Sequence, residues 1–466
     1  MGGAAQVAVR PGLEPPWWLQ EAQPDPEQPA LDGDATADVA IVGGGYTGLW
    51  TAIELKAREP SLDVVVLEQE FCGHGQSGRN GGFLETYWPA LARLRRRLGD
   101  AAALEVARAS EGAIMAVRAL GEDVWLTEGG MLEVSASARQ DEAVDDLVAA
   151  ARALGVPDEV VPLSAEDLAS RVRSPQFRRA AFIRRVATVQ PHRLVRALRR
   201  RALAVGVRIH ERTPATKMRA GVVETGRGGV RAADIVVATN AWAAGWRPLS
   251  RVLTPFGSYI VLTEPVPELI AEIGLTGGEA ITDGRMFLHY FRTTPDGRVL
   301  MGSGSGPIGY SGRIDERFSH DAPSAARAEA GLRLLLPALA EARIEHAWGG
   351  PIDVSADHVP VFGTVPGTRI HYGAGYTGNG VGPSWLGGKI LASLALRADD
   401  EWSRLPLVGR EVKRLPPEPF NYLGGTLVRG AMLRREEAEE AGRRAPAHVR
   451  FVASLPERLG FRVGTR

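Results

Sequence analysis

The sequence predicts an α/β protein built around a dinucleotide-binding βαβ unit, and three observations predict it. An apolar run, DVAIV (38–42), feeds a turn, GGGYTG (43–48), in which four of six residues are glycine. A helical pattern follows over 46–57, with Leu49, Ala52 and Ile53 on one face. A second apolar strand, DVVVL (63–67), then ends on Glu68, 20 residues beyond Gly48.

Each part of this unit has a chemical reason. Gly43, Gly45 and Gly48 fit G-x-G-x-x-G: the first makes the tight turn, the second lets the backbone approach a pyrophosphate, and the third lets helix and strand pack closely. Tyr46 and Thr47 open the helix, whose free N–H groups and dipole attract the anion. Glu68, followed by Gln69, accepts hydrogen bonds from ribose hydroxyls and repels a 2′-phosphate, which disfavours NADP. The unit alone does not choose between FAD and NAD. A second glycine-rich loop, FCGHGQSGRNGGF (71–83), begins within ten residues of Glu68, and a third lies near residue 378. Distant loops converging on one ligand suit FAD, a long cofactor with a separate ring system.

The remaining elements follow in order. Residues 1–36 form an arm docked by Trp17 and Trp18. Helical patterns cover 88–120, 138–154 and 164–172, and DVWLTEGGMLEVS (123–135) reads as a hairpin. A helix feeding a strand spans 190–211, and ADIVVATNAW (233–242) is a buried strand ending in a loop. Residues 252–304 are strand-rich, a helix covers 323–341, and the tail beyond 400 carries a charged helix, RREEAEEAGRR.

Composition excludes several classes. A chain of 466 residues exceeds one simple core, so two or more domains are expected. Equal numbers of basic and acidic residues, 55 each, argue against nucleic acid or an anionic membrane as a partner. The single cysteine, Cys72, excludes an internal disulfide and a Cys-rich metal site, and the nine histidines lack metal-ligand spacing, so no metal is expected. Arg193, Arg196, Arg199, Arg200 and Arg201 read as a solvated helix face. No apolar run approaches the ~18 residues of a membrane span and no signal peptide is visible, so a cytoplasmic enzyme, monomeric or a small homo-oligomer, is expected.

The segments ADVAIVGGGYTGL (37–49), VVLE (65–68), GHGQSGRNGG (73–82), VVATNAW (236–242), LTEPV (262–266), HYFRTTPDGRVLMG (289–302), WGGPIDVSADHVPVFG (348–363) and GAGYTGNGVGPSWLGGKILA (373–392) carry a resemblance. Together they resemble the D-amino-acid-oxidase/glycine-oxidase superfamily of FAD-dependent oxidoreductases, and within it γ-glutamylputrescine-oxidase-like enzymes. The resemblance implies a GR2-type, Rossmann-like FAD domain over 37–87, 160–247 and 345–400. An α+β substrate domain on a large mixed or antiparallel sheet (88–159 and 248–344) would interleave with it, with 401–466 as a C-terminal tail. It also implies that Gln76, Ser77, Gly78, Arg79, Asn80, Gly81 and Gly82 line the pyrophosphate and the flavin ring. Ala238, Thr239 and Asn240, with Trp242, replace the family's common Ala-Thr-Gly strand end. Gly350, Gly375, Gly378, Asn379, Gly380 and Val381 would reach the ring, and a helix starting near Ser384 would aim its positive end there. Cys72 and His74 match no covalent attachment motif, so the FAD is expected to be noncovalent.

The implied reaction is oxidation of the C–N bond of a small amine or amino acid by hydride transfer to flavin N5. The imine would hydrolyse, and electrons would pass to O2, giving H2O2, or to another acceptor. The substrate-facing candidates are Tyr259, Arg285, His289, Tyr290, Arg292 and Trp348. Strand alternation puts Leu288, Tyr290 and Arg292 on one face and Phe287, His289 and Phe291 on the other. The Tyr290 face is expected to roof the flavin, with Arg292 offering a bidentate site for a carboxylate. The plainer readings are a salt bridge at Arg292 and a core histidine at His289. Some oxidases of the superfamily use a lysine near N5, whereas 252–304 contains none and Lys389 follows the flavin loop; this departure weighs against oxidase activity, although an oxidase is expected over a dehydrogenase. The alternative from another class is a non-catalytic FAD-containing binding or assembly factor.

Overall fold

The structure is a computed structural model that describes residues 15–461. Two eight-stranded sheets organise it. At the centre of the first, Ala35–Val42 pairs in parallel with Gly228–Val237 on one side and Val64–Leu67 on the other. Ile370–Ala374 and Arg208–His210 extend the parallel set outward. Parallel strands covered on both faces are continuous apolar runs, and Val39–Val42 and Val64–Leu67 are wholly buried. Helices Tyr46–Arg58 and Pro383–Leu396 pack on this sheet and against each other, Gly388 meeting the backbone of Trp50 and Thr51.

The second sheet runs, in spatial order, Ile344–Ser355, Leu253–Thr263, Val299–Ser303, His289–Thr293, Ala280–Asp283, Met131–Ser135, Arg179–Ile183 and Val160–Leu163. Every neighbouring pair is antiparallel except Ala280–Asp283 with Met131–Ser135. One face is an apolar core: Leu132, Val134, Phe291 and Met301 pack with Ala328 and Leu332 of helix Ala322–Leu335. The other face carries Glu133, Thr282, Tyr290 and Ser258 towards the loops of the first sheet.

Several expectations are corrected. Residues 123–135 do not form a hairpin. Trp125 and Gly130 take positive φ, and Met131–Ser135 pairs instead with two distant strands. Val160–Leu163, Arg179–Ile183 and Ile344–Ser355, which fall mostly in the segments expected to form the cofactor domain, hydrogen-bond into the second sheet. The 88–120 pattern is three helices, Leu91–Leu98, Asp100–Ala109 and Gly112–Arg118. The first 14 residues of the arm lie outside the described residues. Its helix Trp17–Ala22 docks through Trp18, which is fully buried and donates its indole N–H to the Asn80 carbonyl at 2.9 Å. The charged tail segment belongs to Phe420–Glu440, which packs with Ala447–Arg458 against Phe256 and Phe287. No helix among the described residues is long and apolar enough to cross a membrane.

The turns after Val42, Leu67 and Val237 all leave the same end of the parallel strands, where open α/β sheets bind ligands.

Candidate flavin site

Gly43 leaves its strand at φ +112°, and a Cβ there would lie 2.5 Å from the Ala238 carbonyl oxygen. A Cβ at Gly45 would lie 2.8 Å from Ser77 Oγ, while Gly48 abuts the Gly43 carbonyl, the close packing expected of the third glycine. Helix Tyr46–Arg58 begins with no side-chain cap, which leaves its positive end open to an anion. Ser77 Oγ accepts from the Tyr46 N–H at 3.0 Å and so ties the second glycine loop to the first. Glu68 accepts from the N–H groups of Gly44 (2.7 Å) and Glu70 (3.1 Å), yet burial pushes its pKa up to about 7.

A cleft runs along these groups. Gly43, Gly45, Tyr46, Thr47, Glu68, Gln69, Gln76, Ser77, Asn80, Ala238, Thr239, Asn240, Trp242, Gly378, Gly380 and Val381 line it. Gly78, Arg79, Gly82, Gly350 and Gly375, expected on the cofactor, do not line it and act one layer back. Arg79 is buried, donates to the carbonyls of His74 (2.8 Å) and Gly349 (3.2 Å), and has its pKa lowered to about 9 by burial. A Cβ on Gly78 or Gly82 would strike the carbonyl of Gly73 or Val189, and one on Gly350 would strike Gln76. Gly375 donates to Asp353 Oδ2 at 2.6 Å. The sequence reading missed Ile352, Asp353 and Tyr376, although the motifs containing them were singled out. It also missed Ala215 and Met218, which arrive from a strand with no motif.

The cleft also presents unmet polar atoms. Among the described residues, Gln76 Oε1, Asn240 Oδ1 and Asp353 Oδ1 are buried without a hydrogen-bond partner. Buried polar groups are normally satisfied. Burial also lifts Asp353 to about 6. A bare-backbone cradle at one end and orphaned acceptors along the wall fit a long, polar dinucleotide.

A larger cavity adjoins the cleft. Gln76, Asn80, Ile352, Gly378 and Val381 line both, so the two spaces meet at the second and third glycine loops. Gly81 and Asn379 face only the larger one. Tyr290 lines it, lying across Gly302 so that its hydroxyl meets Ser258 Oγ at 2.8 Å, with burial raising its pKa to about 12. Leu288 and Arg285 also line it.

The other substrate candidates are placed elsewhere. Arg292 shares Tyr290's side of the strand, but the residue is 1% exposed and lines neither space. It donates to the carbonyls of Gly81 and Val189, each at 2.7 Å, beneath the Trp18 ring, so it anchors the flavin loop rather than binding a carboxylate. His289 is a core histidine hydrogen-bonded to Asp283 at 2.9 Å. Tyr259 points to the face of the sheet opposite its neighbour Ser258, and burial raises its pKa. Trp348 donates to the Arg79 carbonyl at 2.8 Å and packs on Trp18, supporting the loop from behind. Lys389 pairs with Glu54 at 2.8 Å, away from both spaces.

A pyrophosphate cradle, an acid at its ribose end and a broad, mainly antiparallel sheet over the far end define an FAD-dependent oxidoreductase. The chain belongs to the DAO family of FAD dependent oxidoreductases, whose pattern it matches over residues 38–394. Probable oxidoreductase OrdL of Rhizobium meliloti is 30% identical over 92% of this chain and 96% of its own length. Gamma-glutamylputrescine oxidoreductase of Escherichia coli is 28% identical over 84% of this chain and 92% of its own. Among solved structures, glycine oxidase from Geobacillus kaustophilus shares the fold, with a TM-score of 0.67 at 22% identity. That match covers 81% of this chain and 100% of the other.

Proposed function

We propose that the protein oxidises the C–N bond of a small amine or amino acid held in the larger cavity. The observation that carries this reading is the shared wall: five residues bound both the FAD cleft and a polar cavity roofed by Tyr290. Relatives named for gamma-glutamylputrescine and glycine support the substrate class. Bound FAD supplies the acceptor for a hydride equivalent leaving carbon.

The chain's own residues position and tune. Gly43, Gly45 and the open start of helix Tyr46–Arg58 hold the pyrophosphate, and Glu68 holds the ribose. Gln76, Ser77, Asn80, Ala238, Thr239, Asn240, Trp242 and the 378–381 loop flank the remainder. Helix Pro383–Leu396 starts at Gly382 with no side-chain cap, so its positive end favours negative charge at that loop. Tyr290, fixed by Ser258 and Gly302, covers the substrate from the sheet side and excludes water, and alignment of this kind removes several kcal/mol from a barrier.

A second reading, dehydrogenation without O2 reactivity, is favoured by one observation: among the described residues no lysine lines either space. One experiment tests both. Anaerobic mixing with an amine panel is expected to bleach the yellow flavin. Admission of air then yields peroxide from an oxidase and none from a dehydrogenase. A flavin that no amine bleaches, while remaining reducible by dithionite, would leave only the binding-factor alternative.

A further inference from the structure

The larger cavity is unevenly charged. Eight carboxylates and five guanidiniums line it, with neither lysine nor histidine among its described residues. Arg96, Arg139, Arg285 and Arg435 each lie within ion-pair distance of one of those carboxylates. Glu85 differs. Strand Phe83–Glu85 turns Phe83 and Glu85 to the cavity and Leu84 into the core. Glu85 is 7% exposed, and among the described residues no hydrogen bond or ion pair ends on its carboxylate.

Its place ties it to the cofactor. A Cβ at Gly382, where the flavin-loop helix begins, would lie 1.8 Å from the Glu85 carbonyl oxygen, so the strand end abuts that helix start. Glu133, on the second sheet, lines the same cavity and accepts from the Thr282 hydroxyl at 3.0 Å. Burial raises the Glu85 pKa to about 7, with Arg93 opposing the shift and the Glu133 charge adding a smaller push upward. A buried carboxylate that accepts no hydrogen bond is costly even with a guanidinium nearby. An ammonium group offers three donors and a full positive charge, enough for two carboxylates.

We propose that Glu85 and Glu133 form an ammonium subsite that holds a second positive charge of the substrate, remote from the C–N bond being oxidised. The substrate is then a diamine or polyamine derivative rather than a simple α-amino acid, whose carboxylate this pair would repel. The inference rests on the amine-oxidation reading above.

The test uses FAD-loaded enzyme with 1,4-diaminobutane and butylamine as probes. The wild type is expected to favour the diamine in kcat/KM. Glu85→Gln and Glu133→Gln are each expected to lower the diamine-to-butylamine ratio about tenfold or more, as a buried charged hydrogen bond warrants. Glu85→Asp, which keeps the charge, should retain part of the preference even if a glutamine variant folds poorly. Equal losses on both amines would overturn the subsite, since Glu85 would then act on the amine that is oxidised. Binding is read separately as a thermal shift, which needs no turnover. A diamine-specific shift lost in Glu85→Gln, without bleaching, would uphold the subsite and sink the amine-oxidation reading alone. No diamine-specific shift would sink the subsite.

Discussion

Arg292 is a buried cation that holds a glycine loop in place from behind. Its guanidinium satisfies the Gly81 and Val189 carbonyls under Trp18, and burial holds its pKa at about 9, below the usual arginine range. Arg292→Met leaves both carbonyls without these donors, so a stability loss of about 3 kcal/mol is expected. Thermal denaturation should show a lower Tm, and fluorescence should show faster release of FAD. Glu85 gives a pH signature. Its folded pKa, about 7, exceeds the ordinary 4.5, so between these values the folded chain keeps a proton the unfolded chain has lost. Stability from this group is therefore present at low pH and falls as pH rises through that window. Glu85→Gln removes the dependence. The Tm of the variant relative to wild type should rise from below about 4.5 to above about 7, and a constant difference across the window would contradict the burial argument.

At the scale of elements, the glycine turn tests the cradle. Alanine at Gly43 must adopt φ +112° with its Cβ 2.5 Å from a backbone oxygen that cannot step aside. Alanine at Gly45 meets only the Ser77 side chain, which can rotate. Gly43→Ala is expected to purify nearly colourless and Gly45→Ala to keep more flavin, measured as FAD per chain. This turn was legible because its signals are local: a strand, glycines at fixed spacing, a helix and an acid. Strand alternation likewise separated Tyr290 from His289. It could not show that Arg292, on Tyr290's side, turns inward, because alternation gives a direction and not a destination. The hairpin at 123–135 failed for a related reason: Met131–Ser135 pairs with strands far along the chain, Arg179–Ile183 and Ala280–Asp283, rather than within its own segment.

For the whole molecule, the loops that carry the expected flavin residues lie where the two sheets adjoin, and the arm braces that junction. Trp18 packs on Trp348 and holds the Asn80 carbonyl, so Trp18→Ala should cost about 3 to 5 kcal/mol and loosen FAD although it lines neither space. Equilibrium unfolding with parallel flavin fluorescence measures both effects. Neither the arm's contact nor the course of the second sheet could be read from local pattern, since both are made by residues far apart in the chain. The cofactor cleft and the proposed substrate cavity meet at Gln76, Asn80, Ile352, Gly378 and Val381. A crystal structure of the FAD-loaded enzyme with a competitive amine tests this arrangement most directly. The flavin ring is expected between those five residues, the adenosine ribose at Glu68 and the amine beneath Tyr290. An amine bound outside the cavity, or a ring turned away from that junction, would contradict it.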